Sequence, residues 1–182
     1  MTEKETCEKN SLEDKRILTF VAEEIDMENA MELIEQLINL ELENSDPITL
    51  IINTYGGCVD ASFAIYDCIR SLRSKVKILC VGVCMSGGTL IATAADELLS
   101  FPHTSFLLHP MSIWMNGEYG SLDKFYKDTY KINDNYMGAL AKRLGMTLDE
   151  CKDFIKHDER FRAEEMVELG FVDRIVENFR DI

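Results

Sequence analysis

Residues 78–95, Ile-Leu-Cys-Val-Gly-Val-Cys-Met-Ser-Gly-Gly-Thr-Leu-Ile-Ala-Thr-Ala-Ala, read as a buried strand, a tight turn and a helix of small residues. Ile78 to Val83 is an apolar run of strand length, rich in β-branched residues. The turn falls at Met85-Ser86-Gly87-Gly88, where the glycines permit a sharp change of direction and close backbone approach. A serine at such a turn has two uses. It can cap the following helix, the commoner role of serine there. It can also act as a nucleophile, because the unpaired N–H groups and the macrodipole at a helix start favour developing negative charge. This segment alone does not choose between them.

Composition bounds the answer. The 182 residues are long enough for one domain with a real core, and the 46% hydrophobic and 29% charged content is that of an ordinary soluble domain. A net charge of −14 excludes a general binder of nucleic acid or of anionic membranes, since phosphate contacts need a basic surface. No apolar run reaches the ~20 residues of a membrane span. The first ten residues are polar and acidic, so they read neither as a secretory signal nor as an arginine-rich transit peptide. The six cysteines show no Cys-x-x-Cys pair and no metal-ligand spacing; most read as small buried hydrophobes. A reducing, cytoplasmic setting is expected, with no metal and no cofactor.

Outward from the central stretch, residues 1–15 read as a flexible arm and residues 16–182 as a single domain. Arg16 to Ala22 reads as a strand. Asp26 is a good N-cap for a helix whose apolar stripe is Met27, Ala30, Met31, Ile34, Leu37 and Ile38. Ile48 to Asn53 is an unbroken apolar strand, as in a parallel sheet buried on both faces. It runs into Gly56-Gly57, a pair suited to unusual dihedrals and exposed N–H groups, or to a plain strand-to-helix turn. Neither a dinucleotide fingerprint nor a P-loop follows. A helix over Ala61 to Leu72 leads back to the Ser86 strand, which completes a βαβ unit.

Two short strands come next, Glu97 to Phe101 and Ser105 to His109, separated at Pro102. Their ends and the Gly56-Gly57 turn are expected on one rim of the sheet, where open α/β sheets bind ligands. Pro110 to Gly120 is loop-like and holds the only tryptophan, Trp114. Ser121 to Gly145 is the longest helix, capped by Ser121 and closed by Gly145. Its stripe of Phe125, Thr129, Ile132, Tyr136, Leu122, Met137 and Leu140 suits either an ordinary core helix or one that protrudes onto a partner subunit. Thr147 and Glu150 form a capping box. A helix over Ala163 to Leu169 stops at Gly170, and Phe171 to Val176 reads as the last strand.

These residues carry a resemblance. Asn53-Thr54-Tyr55-Gly56-Gly57, Ile65-Tyr66-Asp67, Ser86-Gly87-Gly88, Leu108-His109-Pro110, Asp158, Ala163-Glu164-Glu165 and Gly170-Phe171-Val172-Asp173 follow in this order. Each motif is weak alone; order and spacing together are specific. The chain resembles the proteolytic subunit of the ATP-dependent Clp protease, peptidase family S14, over residues 15 to 178. The resemblance implies an α/β ClpP/crotonase-like fold of repeated ββα units with a protruding handle helix over 121–145. It implies Ser86 as nucleophile, His109 as general base and Asp158 as the group that orients the imidazole. It sets the oxyanion donors at the backbone N–H groups of Gly57 and Gly87. The residue types suit the chemistry: serine needs a base, histidine titrates near neutrality, and a carboxylate on the far ring nitrogen holds the tautomer.

By the same resemblance the chain is expected to self-associate into rings, heptameric and stacked in pairs. An AAA+ ATP-dependent unfoldase is the expected partner, and unfolded polypeptides or short peptides are the expected substrates. A phage-type capsid-maturation or accessory ring subunit, weakly active or non-catalytic, is the alternative. A thioester enzyme on the crotonase fold ranks last, since it needs no Ser, His and Asp set. A conventional α/β-hydrolase is disfavoured because position 84 of Gly-x-Ser-x-Gly is a cysteine. His157 and His103 read as surface or structural, and Cys84 as packing. The chain also departs from the family, in which Gln-Pro follows the base: here Pro110 follows His109 directly.

Overall fold

The apolar run before Ser86 is the central strand of a largely parallel sheet. The structure, a computed structural model, describes Leu12, residues 15–112 and residues 118–182. Most of the N-terminal arm, and Trp114, lie outside the described residues. The elements run β1 (Ile17–Ala22), α1 (Met27–Glu43), β2 (Ile48–Thr54), α2 (Val59–Ser71), β3 (Val76–Met85), α3 (Gly87–Ala92), β4 (Glu97–Ser100), β5 (Ser105–Leu108), α4 (Tyr119–Leu144), α5 (Leu148–Phe154), β6 (Glu159–Arg162), α6 (Ala163–Glu168) and β7 (Arg174–Ile175), with a 3₁₀ turn at Phe179–Asp181. The fold is α/β. The strand order is β1-β2-β3-β4-β7, all parallel, and β5 pairs with β3 on a branch that ends in β6. Among the described residues no helix is long and apolar enough to cross a membrane.

The branch is what builds the site. The first half of β3, Lys77 to Cys80, aligns with β4; its second half, Val83 to Met85, aligns with β5. A bulge separates the halves. Between Ile52↔Cys80 and Thr54↔Cys84, β2 advances two residues while β3 advances four. Gly82 takes a positive φ of 65° there, which costs glycine little, and the Asn53 side chain accepts from the Val83 N–H at 3.2 Å. The end of β3 is thereby turned away from β4 and toward β5.

The main core lies between this sheet and the helices and holds Leu50, Ile52, Ile78, Phe106 and Phe171. A smaller cluster of Leu79, Leu99 and Val176 covers the other face. Burial of β2 on both faces is therefore incomplete: its residues alternate between buried and half-buried.

Several expectations are corrected. α1 turns Ala30, Leu33, Leu37 and Leu40 inward, while Met27, Met31 and Ile38 are exposed. The helix carries two neighbouring apolar stripes, and Arg16 helps to decide between them. Its buried guanidinium donates to the carbonyls of Leu40, Asn44 and Asp46, which holds the end of α1 against β1. α4 begins at Tyr119 behind Glu118, so Ser121 lies inside the first turn and is not the cap; Gly145 closes the helix in the left-handed region as expected. The last strand is only Arg174–Ile175, because the N–H groups of Phe171 and Val172 both turn back to the Met166 carbonyl and end α6. β6 was not anticipated. It runs antiparallel to β5, with Leu108 opposite Glu159.

Candidate active site

Ser86 holds a backbone conformation that residues with a side chain rarely adopt, φ 51° and ψ −121°. Three contacts hold it there. Its N–H donates to the Leu107 carbonyl at 3.0 Å, and its own carbonyl accepts from the Thr89 N–H at 2.8 Å and the Thr89 hydroxyl at 2.6 Å. The Ser86 side chain forms no capping bond to α3. Its Oγ lies 2.7 Å from His109 Nε2 instead. The capping role is thus not the one this serine plays.

His109 arrives by the sheet branch. Met85 is in register with Leu107, so the residue after β3 meets the residue after β5. The other imidazole nitrogen, Nδ1, is 2.6 Å from the Pro110 carbonyl oxygen. That oxygen can only accept, so Nδ1 bears the proton and Nε2 is free to accept from the Ser86 hydroxyl. The resemblance had set a carboxylate at Nδ1. Asp158 is exposed and makes no hydrogen bond to His109, although the β5–β6 register, carried one step past Leu108↔Glu159, sets the two residues opposite each other. The oxygen in that place belongs to the residue directly after the histidine, Pro110.

The glycine turn closes against the same point. A Cβ on Gly56, whose φ is 99°, would lie 2.6 Å from Ser86 Cβ and 2.9 Å from the Gly87 nitrogen. Ile25 donates its N–H to the Gly56 carbonyl and accepts from the Cys58 N–H, both at 2.7 Å. In that parallel bridge the N–H of Gly57 itself faces away from Ile25. Gly87 is the first residue of α3, so its N–H has no acceptor within the helix. Gly57, Ser86, Gly87 and His109 line one cavity of about 540 Å³, with Met111, Phe125, Thr129 and Ile132 on its far wall.

Tyr136 of α4 lies under this wall. It is buried, and its hydroxyl is 3.4 Å from Thr89 Oγ1. Burial pushes that hydroxyl up to about 12. One neutral hydroxyl therefore ties α4 to the threonine that holds the Ser86 carbonyl.

His103 and His157 are exposed and lie outside the cavity lining. Cys80, Cys84 and Cys151 are buried, and burial pushes the Cys80 and Cys151 thiols up. Among the described residues no group of three or more His, Cys, Asp or Glu side chains could hold a metal ion. The sequence reading passed over several residues of the lining, among them Glu24, Cys58, Asp60 and Asp128. Asp60 had a signal, three residues beyond Gly57; Glu24 and Asp128 had none.

The geometry can be set beside known proteins. A family model described as Clp protease matches residues 2–179. The ATP-dependent Clp protease proteolytic subunit 2 of Pseudomonas aeruginosa is 30% identical over 165 residues, which cover 90% of this chain and 82% of that protein. The ATP-dependent Clp protease proteolytic subunit 1 of Protochlamydia amoebophila is 29% identical over 176 residues, which cover 94% of this chain and 84% of that protein. Since the match runs through nearly all of the chain that builds the sheet, its branch and the Ser86 turn, the chain belongs to the Clp protease family.

Proposed function

We propose that this chain is a Clp-type serine endopeptidase that cleaves unfolded polypeptides or short peptides through an acyl-enzyme. The observation that carries this reading is the 2.7 Å contact between Ser86 Oγ and His109 Nε2 at a strained strand-to-helix turn. Strain of this kind persists only where the surroundings over-determine it, and here it aims the hydroxyl into the cavity and away from the helix start.

Ser86 Oγ attacks the scissile carbonyl while His109 Nε2 takes its proton. The oxyanion is met by the N–H groups of Gly57 and Gly87. The imidazolium then gives its proton to the leaving amine, which departs and leaves an ester on Ser86. Water enters, gives a proton to Nε2 and attacks the ester; as the intermediate collapses, Nε2 returns that proton to the departing Ser86 Oγ, and the acid product is released. Throughout, the Pro110 carbonyl keeps the proton on Nδ1. Asp158 stands opposite His109 across the β5–β6 pair, exposed and without a hydrogen bond to the ring.

The reading includes assembly into rings, heptameric and stacked in pairs, with the sites facing an enclosed chamber fed by an AAA+ unfoldase. The apolar side chains left on the surface of one subunit support self-association: Met27, Met31 and Ile38 on α1, and Phe125, Tyr126 and Tyr130 on α4. A cytoplasmic location belongs to the same reading, supported by five unpaired cysteines among the described residues.

The test is labelling by a fluorophosphonate probe of assembled protein. One label per subunit is expected for the wild type, none for Ser86→Ala, and labelling at least about a hundredfold slower for His109→Ala. An assembled wild-type ring that takes no label would make the non-catalytic accessory subunit the better reading.

A further inference from the structure

Three residues that line the cavity beside Ser86 are acidic and exposed, and the hydrolysis itself does not use them. Asp60 enters from the first turn of α2, Asp128 from α4, and Glu24 from the turn between β1 and α1. Three separate elements thus bring acidic side chains to one space. Among the described residues no lysine or arginine lines it. Asp128 is 3.3 Å from Lys131, but both side chains are largely exposed, at 54% and 77%, so that pair neutralises little. Glu24 and Asp60 form no ion pair among the described residues.

Between the carboxylates the wall is apolar, from Val59, Phe125 and Ile132. A side chain with a long apolar stem and a cationic head satisfies both parts: the stem covers the apolar wall and the head reaches the acids. An acidic side chain meets only repulsion there, in a chain whose net charge is already −14. We infer that this site selects polypeptide segments with lysine or arginine at the residue whose carbonyl Ser86 attacks, and disfavours aspartate and glutamate there. The inference rests on the peptidase reading and adds to it a substrate class. Contacts of this exposed kind are individually weak, so the selectivity they give together is about five- to tenfold.

The test compares tripeptide aminomethylcoumarins, identical except for a terminal lysine, norleucine or glutamate, on the assembled wild-type protein. Norleucine keeps the stem of lysine and removes its charge, so the lysine-to-norleucine ratio of kcat/KM isolates the head group. A ratio of about five or more is expected, falling toward one in Asp60→Asn with Asp128→Asn. It should also fall in 0.5 M salt, where the screening length drops to about 4 Å. Glu164→Gln, an exposed change on α6 outside the cavity, should leave the ratio as it was. Ser86-dependent cleavage with a ratio of one or less overturns the inference and leaves the peptidase reading standing. If no peptide is cleaved and no probe labels Ser86, the peptidase reading falls. Binding of the corresponding fluorescein-tagged peptides to Ser86→Ala protein then decides the selectivity: tighter binding of the lysine peptide supports it, and equal or weaker binding overturns it.

Discussion

At the residue scale the site turns on which atom faces His109 Nδ1. A carboxylate there would hold the tautomer and stabilise the imidazolium together. In this chain the Pro110 carbonyl, 2.6 Å from Nδ1, holds the proton there without a carboxylate. Replacing Asp158 therefore does not release the wrong tautomer. Asp158→Asn is expected to lower kcat by no more than about fivefold, well short of the loss on Ser86→Ala. Single-turnover kinetics across a pH range would check it. A loss as large as that of His109→Ala would make Asp158 itself the Nδ1 partner in the working enzyme.

At the element scale, α1 is held to the sheet by two polar clamps that hydropathy does not reveal. Arg16 is 8% exposed, and its guanidinium bonds the carbonyls of Leu40, Asn44 and Asp46 and the hydroxyl of Ser74. Arg16→Met keeps the stem and leaves those acceptors without their donor, so a loss of about 2–4 kcal/mol is expected in denaturant unfolding. Glu41 is the second clamp. Its carboxylate accepts from the Ser74 hydroxyl at 2.7 Å and from Arg73 Nε at 2.8 Å, and these bonds hold it down to about 2 from the usual 4.5. A carboxyl lowered in the folded state contributes stability above its unfolded value, and that contribution is lost as pH falls through the folded value. The wild type should thus melt higher than Glu41→Gln at neutral pH. The gap should narrow from about pH 4.5 downward and close near pH 2, which melting curves across that range would show.

At the scale of the whole molecule, the subunit leaves apolar surface uncovered on two helices. On α1 the exposed stripe of Met27, Met31 and Ile38 is flanked by Glu28, Glu32 and Glu35. These residues face away from the core, so changing them tests association with little effect on the fold. Met31→Asp with Ile38→Asp is expected to give smaller species in sedimentation velocity while far-ultraviolet circular dichroism stays as in the wild type. Unchanged sedimentation would move the association surface to α4. Loss of assembly should also lower peptide cleavage if the chamber is where cleavage occurs.

The order of strands and helices, the glycine turn before α2, the capping box at Thr147 and Glu150, and the closure of α4 at Gly145 were legible in the chain, because periodicity and turn chemistry act over a few residues. Ser86 at a tight turn and His109 at a strand end were visible too, but it was the resemblance to a family that paired them, since either place alone suits a cap or a structural histidine. What brings them to 2.7 Å was not: a bulge at Gly82 moves the end of β3 from one partner to another, and no local pattern announces which strand it will meet. β6 was hidden because Glu159, Arg160 and Arg162 leave Phe161 as its only apolar residue, and its pairing comes from β5. The inward stripe of α1 was misread because two stripes were available and the choice rests partly on Arg16, whose acceptors lie 24 to 30 residues away. The acidic cavity wall joins residues from positions 24, 60 and 128. The sequence by itself determined most of the local elements, and the likeness of its motifs to a known family singled out the site residues; distances between residues far apart in the chain were decided only by the tertiary structure, because they depend on strand pairing and packing summed over the whole sheet.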